Sequence, residues 1–294
     1  MSHGTGDDGD YGPPAAWTRL AAADVYHCSM YGWCSAPASS GASRTSRAEA
    51  PREVSRMPMP SPVVWSWVLA GGLISYLAVV APLLGRRSYE RLEKGITPLS
   101  RGLALSIVEL WALAAVALLV VGLSPSLDLA GVGIRQPDDP SLTYGIAVAL
   151  PVAMVPMVFF MRWLVRNGGK VPGSGAYSAL LPRTPGQRWL AGGVAVSAGI
   201  CEELIYRGLF IALGLALGLS PLAAAAVAVA VFMLGHLYQG LSGALLSLLA
   251  GIAFTGLYLR TGSLIAPIVV HVLVDLRSLV FTPQPQAQPA RVES

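Results

Sequence analysis

The sequence predicts an all-α polytopic membrane protein, a bundle of about seven transmembrane helices. Hydrophobic residues make up 54% of the 294 residues and charged residues only 12%, whereas about a quarter of an ordinary soluble domain is charged. Several apolar segments also reach about twenty residues, the length that crosses a bilayer core of about 30 Å. We therefore expect a multi-pass protein of the cell membrane, surrounded by the lipid bilayer.

The apolar part of the chain, a membrane domain at residues 61–284, divides into consecutive predicted helices. The breaks between them fall at glycine, proline or charged residues, which are the residues that end helices. The first break is predicted at Gly85-Arg86-Arg87. The predicted helices are 63–84, 103–123, 143–164, 188–217, 220–237, 241–260 and 263–281.

The two ends of the chain lack this apolar pattern. Residues 1–60 are rich in Ser, Ala, Gly, Pro, Arg and Asp, and such a segment buries too little apolar surface to offset its ordering entropy. We expect a disordered extension there and a short disordered tail at 285–294. Met57 stands just before the first helix, so a natural start at Met57 is a hypothesis that N-terminal sequencing would test.

Basic residues are concentrated in two predicted loops. Loops 85–102 and 162–188 carry five Lys or Arg residues each, whereas loop 124–142 carries three Asp and one Arg. By the positive-inside rule, the two basic loops are expected in the cytoplasm. These loops explain the net charge of +4. No basic stripe with interleaved aromatic residues is present, so no nucleic-acid partner is expected.

The fourth predicted helix places three charged residues inside an apolar run, Glu202, Glu203 and Arg207. A charge at the centre of a membrane helix costs at least a few kcal/mol, so such residues usually face a protein interior or a watery cavity. Glu203 and Arg207 are four residues apart and can pair on one helix face. Glu202 points about 100° away and remains free. A purely structural network is the alternative, but it leaves one surplus acid unexplained.

Two later helices add histidines, His236 in the fifth and His271 in the seventh, where Asp275 follows four residues on. Each alone could be a structural cross-link. Together with Glu202 they could bind Zn²⁺ and activate water, as in a metalloprotease. Alternatively, Glu202 is a general base and a histidine polarises the water. The spacing leaves both open, so Glu202, His236, His271 and Asp275 are also the candidate metal ligands.

Other protease signatures fit less well. No His-Glu-x-x-His sequence is present, which disfavours a zincin-type protease. Gly240-Leu241-Ser242-Gly243 is similar to the Gly-x-Ser-Gly of rhomboid serine proteases, with His271 as the base. That interpretation leaves the charged cluster of the fourth helix unexplained, so we favour helix packing for Ser242 and its glycines. Cys201 is interpreted as a small hydrophobic residue.

The motifs occur in an order that resembles a known family. Glu202-Glu203-x-x-x-Arg207 is followed by Phe232-x-x-x-His236, by a glycine-rich helix that leads to Thr261-Gly262-Ser263-Leu264, and by His271-x-x-x-Asp275. This series, at about residues 185–280, resembles the CPBP family, the type II CAAX prenyl endopeptidases and their bacterial Abi relatives.

The resemblance implies an intramembrane endopeptidase that cleaves a peptide or protein near the cytoplasmic membrane face. By motif position, Glu202 and His236 would activate the attacking water. His271 and Asp275 would complete the site as oxyanion stabilisers or metal ligands, with Glu203 and Arg207 in support. The remaining alternative is a non-catalytic immunity or partner-binding membrane protein.

One position departs from the family pattern, since many relatives carry Asn where this chain has Asp275. An amide donates a hydrogen bond to an oxyanion, whereas an ionised carboxylate cannot. Asp275 in the site would therefore be protonated by burial, ligate a metal or orient His271.

Overall fold

The computed structural model describes residues 62–169, 171 and 174–283, and these residues form helices and no strand. The predicted all-α membrane bundle is confirmed. The predicted disordered ends at 1–60 and 285–294 lie outside the described residues. In chain order the helices are α1 (Pro62–Ser75, a π-helical turn Tyr76–Val80 and Ala81–Glu93), α2 (Leu99–Leu123), α3 (Pro140–Arg166), α4 (Pro185–Glu202, a π-helical segment Glu203–Phe210 and Ile211–Ala216), α5 (Pro221–Gly235), α6 (Gly240–Thr261) and α7 (Ile265–Asp275 and a π-helical turn Leu276–Val280).

The break predicted at Gly85-Arg86-Arg87 is wrong, because α1 continues through it to Glu93. The helix ends two residues before Gly95, whose φ of +68° is the left-handed conformation that glycine adopts without strain. The amide of Gly95 donates to the carbonyl of Leu92 at 3.0 Å, and the amide of Ile96 donates to that of Arg91 at 2.9 Å. This pair of bonds is a Schellman motif, and it satisfies carbonyls that the helix end leaves free.

Three helices begin with the same two-residue signal, a polar N-cap followed by proline. The signal is Asp139-Pro140 for α3, Thr184-Pro185 for α4 and Ser220-Pro221 for α5. The cap side chain accepts a backbone N–H that has no partner inside the helix, and proline loses nothing at the first helical position. The bond from the Leu142 amide holds the pKa of the Asp139 carboxyl below its usual value, since it stabilises the charged form.

Four segments of the described residues are long and apolar enough to cross a membrane: Val63–Glu93, Leu99–Leu123, Pro140–Arg166 and Leu237–Thr261. α5 is apolar but shorter. The outward surfaces carry large hydrophobic side chains, and Phe159 and Trp163 of α3 are more than half exposed. Such surfaces suit a lipid environment, in which helices satisfy their own backbone.

The π-helical segment of α4 lies at the centre of the bundle, and all eight of its residues are buried. α2 and α7 pack along the preceding part of α4, and α5 packs against the π-helical segment. A π-helix bonds i to i+5, and such irregular turns occur frequently at functional sites. Because the segment includes Glu203 and Arg207, two charged side chains lie in the best-packed part of the molecule.

The connection from α6 to α7 is fastened by the loop that precedes α3. Gly262 has a φ of +63° and ends α6. Its carbonyl accepts the Nε–H of Arg135 at 2.8 Å, and the Ser263 hydroxyl donates to the Arg135 carbonyl at 2.6 Å. The Leu264 amide donates to the Gly133 carbonyl at 2.9 Å. These bonds set the point at which α7 enters the bundle.

Gly199 lets α7 approach α4 closely. A Cβ atom added at Gly199 would lie 2.9 Å from the backbone nitrogen of Val272 and 3.2 Å from its Cα. Backbone atoms cannot yield as the end of a flexible side chain can, so only glycine fits there. Val272 follows His271, and Gly199 precedes Glu203 by one turn, so this contact brings the two polar residues together.

We expect Gly199→Ala to lower the free energy of unfolding, because overpacking typically costs about 1–3 kcal/mol. Gly192→Ala, in the same helix, is the control, since an added Cβ there meets nothing within 4 Å. It should gain about 0.5–1 kcal/mol from helix propensity. Unfolding of both variants in detergent measures the difference, and equal stability of the two would contradict the close helix contact.

Candidate active site

The centre of the site is a buried carboxylate that receives two hydrogen bonds on one oxygen. Arg207 Nη1 donates to Glu203 Oε1 at 3.0 Å, and His271 Nδ1 lies 2.7 Å from the same oxygen. The Glu203 side chain is fully buried, and that of Arg207 is 1% exposed. The pairing expected from their spacing is present, but Glu203 also joins α4 to His271 of α7.

The other two nitrogens of Arg207 each donate a hydrogen bond to α6. Nη2 donates to the Gly251 carbonyl at 3.2 Å, and Nε donates to the Thr255 hydroxyl at 3.3 Å. The guanidinium carbon lies 4.5 Å from the centroid of the Phe232 ring and 5.4 Å from that of Phe254. Hydrogen bonds to the other polar atoms of a buried ion pair offset part of its desolvation cost. Arg207 therefore links α4, α5 and α6.

Glu203 determines which nitrogen of His271 carries a proton. An ionised carboxylate only accepts hydrogen bonds, so Nδ1 must be the N–H donor. Nε2 then faces Glu202 Oε2 at 3.8 Å and Asp275 Oδ2 at 3.7 Å. Both distances exceed a hydrogen bond. The hydrogen-bond partner of His271 is therefore Glu203, whereas orientation by Asp275 was only one of the three roles that the sequence left open.

Glu202 is the acid without a hydrogen bond. Its side chain is 17% exposed, and Oε2 is a buried atom with no hydrogen-bond partner within the described part of the chain. An unsatisfied buried polar atom is costly and calls for an explanation. Glu203 Oε2 is also buried without a partner among the described residues, but Glu203 Oε1 accepts two hydrogen bonds, and this distinguishes it from Glu202.

His236 ends α5 and caps that helix with its own side chain. Its backbone amide bonds to the Met233 carbonyl, so the carbonyl of Phe232 is left free and His236 Nδ1 lies 2.8 Å from it. Because a carbonyl only accepts, Nδ1 carries the proton and Nε2 has the lone pair. The His236 and Phe232 ring centroids are 4.5 Å apart. Charge–charge interaction also links His236 with Asp275.

Several residues of the site were not predicted from the sequence. Thr255 and Gly251 hold Arg207, Phe254 stacks on His271 with ring centroids 4.8 Å apart, and Gly199 provides the close approach. A lone threonine or phenylalanine in an apolar helix carries no spacing signal. Gly199 lies one turn before Glu203 on the same helix face, and a small residue in such a place indicates a close contact with another helix.

Three further polar residues, Tyr76, Glu109 and Ser242, lie away from this cluster. Tyr76 donates from its hydroxyl to Glu109 Oε1 at 2.6 Å, which joins the π-helical turn of α1 to α2. The signal for Glu109 was present, since it is a carboxylate inside an apolar segment. Ser242 is exposed in the first turn of α6. His271 Nδ1 is bonded to Glu203 and its Nε2 faces carboxylates, so the geometry does not favour a serine–histidine pair.

The donor set does not fit a metal ion as it is arranged. Within residues 62–169, 171 and 174–283, no group of three or more His, Cys, Asp or Glu side chains could hold one. This geometry therefore gives no support for metal ligation by the four candidate zinc ligands named from the sequence, Glu202, His236, His271 and Asp275.

The family resemblance inferred from the motifs is confirmed by comparison. Residues 184–277 match the type II CAAX prenyl endopeptidase Rce1-like family. The matched segment begins at the N-cap of α4 and ends two residues beyond Asp275, so it includes every residue of the polar cluster. Comparisons with curated proteins and with solved structures gave no match.

We expect Arg207→Met to lower the free energy of unfolding by about 3–5 kcal/mol, because Glu203 would remain buried without its cation. Combination with Glu203→Gln should recover part of that loss. Arg86→Met is the matched control, since Arg86 pairs with Glu90 at the same spacing but both side chains are exposed. It should change stability by at most about 1 kcal/mol. Equal losses in the buried and the exposed pair, measured by unfolding in detergent, would contradict the assignment.

Proposed function

From the family match over residues 184–277, we propose that the chain is an intramembrane endopeptidase in which Glu202 activates water. The observation that carries the proposal is the buried, unpartnered Oε2 of Glu202, 3.8 Å from His271 Nε2. A general base needs an acceptor atom free to take a proton, in a place that a substrate carbonyl can reach. Glu202 meets the first requirement because Glu203 already neutralises Arg207.

The first step is the attack of water on the scissile carbonyl. Glu202 takes one proton from the water while its oxygen bonds to the carbonyl carbon, and the carbonyl electron pair moves onto oxygen. His236 Nε2, kept as an acceptor by the bond of Nδ1 to the Phe232 carbonyl, orients the second water proton. General-base catalysis of this kind contributes about 10²–10⁴-fold.

The second step requires stabilisation of the oxyanion and protonation of the leaving amine. When His271 is protonated at both nitrogens, it retains the bond to Glu203 and presents Nε2–H to the developing charge. A protonated Asp275, 3.7 Å from that nitrogen, adds a second donor. The proton on Glu202 then passes to the amine as the C–N bond breaks, which leaves a carboxylic acid and a free amine.

We place the site towards the cytoplasmic membrane face. The turn that follows His236 contacts the end of α1, where Tyr238 lies against Tyr89 with ring centroids 5.9 Å apart. That end of α1 carries Arg86, Arg87 and Arg91. Since basic segments remain in the cytoplasm, this arrangement supports access for the substrate from that side.

A prenylated peptide is the first substrate to test, because the family description names CAAX prenyl endopeptidases. The probe is an internally quenched peptide that ends in a prenylated Cys-aliphatic-aliphatic-X sequence, compared with its unprenylated form. Cleavage of both would indicate a broader peptidase. Cleavage of neither by the purified protein would favour the non-catalytic membrane protein.

Glu202→Gln and His236→Gln should each reduce cleavage in liposomes by at least about 100-fold, because each removes a group that handles the attacking water. Glu109→Gln is the matched control, since Glu109 is also a carboxylate in an apolar helix but bonds to Tyr76 outside the cluster. It should retain wild-type activity. Wild-type rates in Glu202→Gln and His236→Gln would refute the catalytic assignment.

Asp275→Asn should preserve activity within about tenfold, because an amide N–H replaces the protonated carboxyl as a donor to the oxyanion. Metal content of the purified protein and inhibition by chelators are measured beside the rates. A bound metal that Asp275→Asn removes, together with the activity, would establish Asp275 as a ligand and overturn the donor role.

A further inference from the structure

Helix α1 lies outside the matched residues 184–277, yet it contacts the turn that carries His236. Tyr238 belongs to the single 3₁₀ turn Leu237–Gln239 between α5 and α6. Its ring centroid is 5.9 Å from that of Tyr89, in the last part of α1. One turn earlier, an added Cβ at Gly85 would lie 3.4 Å from the Tyr238 ring. The tyrosine therefore packs directly against the α1 backbone.

The Tyr238 ring also contacts His236. The two ring centroids are 6.1 Å apart and the planes are inclined by 28°, which is within the range of offset stacking. Phe232 contacts the same imidazole at 4.5 Å. His236 is therefore flanked by two aromatic rings and bonded at Nδ1, so that its remaining polar atom, Nε2, has a restricted orientation.

The Tyr238 hydroxyl accepts a hydrogen bond within its own turn, whereas the ring makes the contacts with α1 and His236. Gln239 Nε2 donates to the Tyr238 hydroxyl at 2.9 Å. The contact of its ring with the His236 imidazole places the tyrosine beside the candidate site. Tyr238 and Gln239 do not belong to the motif series, and simple helix packing would not require a tyrosine next to the histidine.

We propose that Tyr238, supported by Gly85 and Tyr89 of α1, is a positioning residue that holds the His236 imidazole in one orientation. α1 is then part of the catalytic unit although it lies outside the matched family segment. The catalytic consequence rests on the proposed peptidase function, whereas the positioning itself does not. Two measurements separate these claims.

The first measurement follows the histidine directly by NMR of ¹⁵N-histidine-labelled protein in detergent micelles. The chain has four histidines, and loss of a signal in His236→Gln identifies His236. Wild type should show His236 as the Nδ1–H tautomer. Tyr238→Leu, Tyr89→Leu and Gly85→Leu should shift the His236 signals towards a mixture of tautomers, while those of His271 remain unchanged.

Two matched variants serve as controls. Tyr238→Phe keeps the ring and loses only the hydroxyl, so its His236 signals should resemble those of wild type. Gly72→Leu adds the same side chain to α1 at a position where a Cβ meets nothing within 4 Å, and it should have no effect. Tyr89→Leu keeps the test valid if Gly85→Leu fails to fold. Unaltered His236 signals in the folded variants of Tyr238, Tyr89 and Gly85 would overturn the proposal.

The second measurement is cleavage of the quenched peptide. Tyr238→Leu should lower kcat about 10-fold or more with little change in KM, since misplacement of a catalytic group by about 1 Å can cost 10²-fold. Tyr238→Phe should restore most of the rate. A raised KM at unchanged kcat would instead indicate a substrate contact and refute the positioning role. If no peptide is cleaved but the His236 signals shift as expected, the peptidase assignment fails and the positioning of His236 stands.

Discussion

The rest of the structure depends on one oxygen atom, Glu203 Oε1, which accepts bonds from Arg207 and His271. A charge excluded from water costs several kcal/mol unless it is paired and its partners are bonded. To satisfy this pair, α7 supplies His271, while α6 supplies the Gly251 carbonyl and the Thr255 hydroxyl. Three helices must therefore meet at the π-helical segment of α4.

Adjacent carboxylates acquire different tasks because the helix directs them to different surroundings. Glu203 is the first residue of the π-helical segment and is fully buried, whereas Glu202 is the last residue of the preceding α-helix and stays partly exposed. Arg207 is already paired with Glu203, so it does not neutralise Glu202. The arrangement uses one acid to hold the helices and keeps the other available for chemistry.

The sequence allowed prediction of the all-α membrane fold class and of the pairing of Glu203 with Arg207, because these follow from composition and from helical spacing. It did not predict that α1 continues through Gly85, where the helix packs against Tyr238, a residue far along the chain. The hydrogen bond of His271 with Glu203 was also not predicted, because the two residues lie on helices far apart in the chain. Contacts between distant helices leave no spacing signal, and Thr255 and Phe254 show this most plainly.

The Phe232-x-x-x-His236 motif shows how a rule of backbone hydrogen bonding can fix the tautomer of the histidine that we propose as catalytic. An α-helix leaves its last four carbonyls without partners. When α5 ends at Gly235, the imidazole of His236 reaches back four residues and takes the Phe232 carbonyl. A carbonyl can only accept, so the cap fixes the proton on Nδ1 and leaves the lone pair on Nε2. The spacing of four is then explained by helix geometry, and the tautomer that water activation needs follows from the same bond.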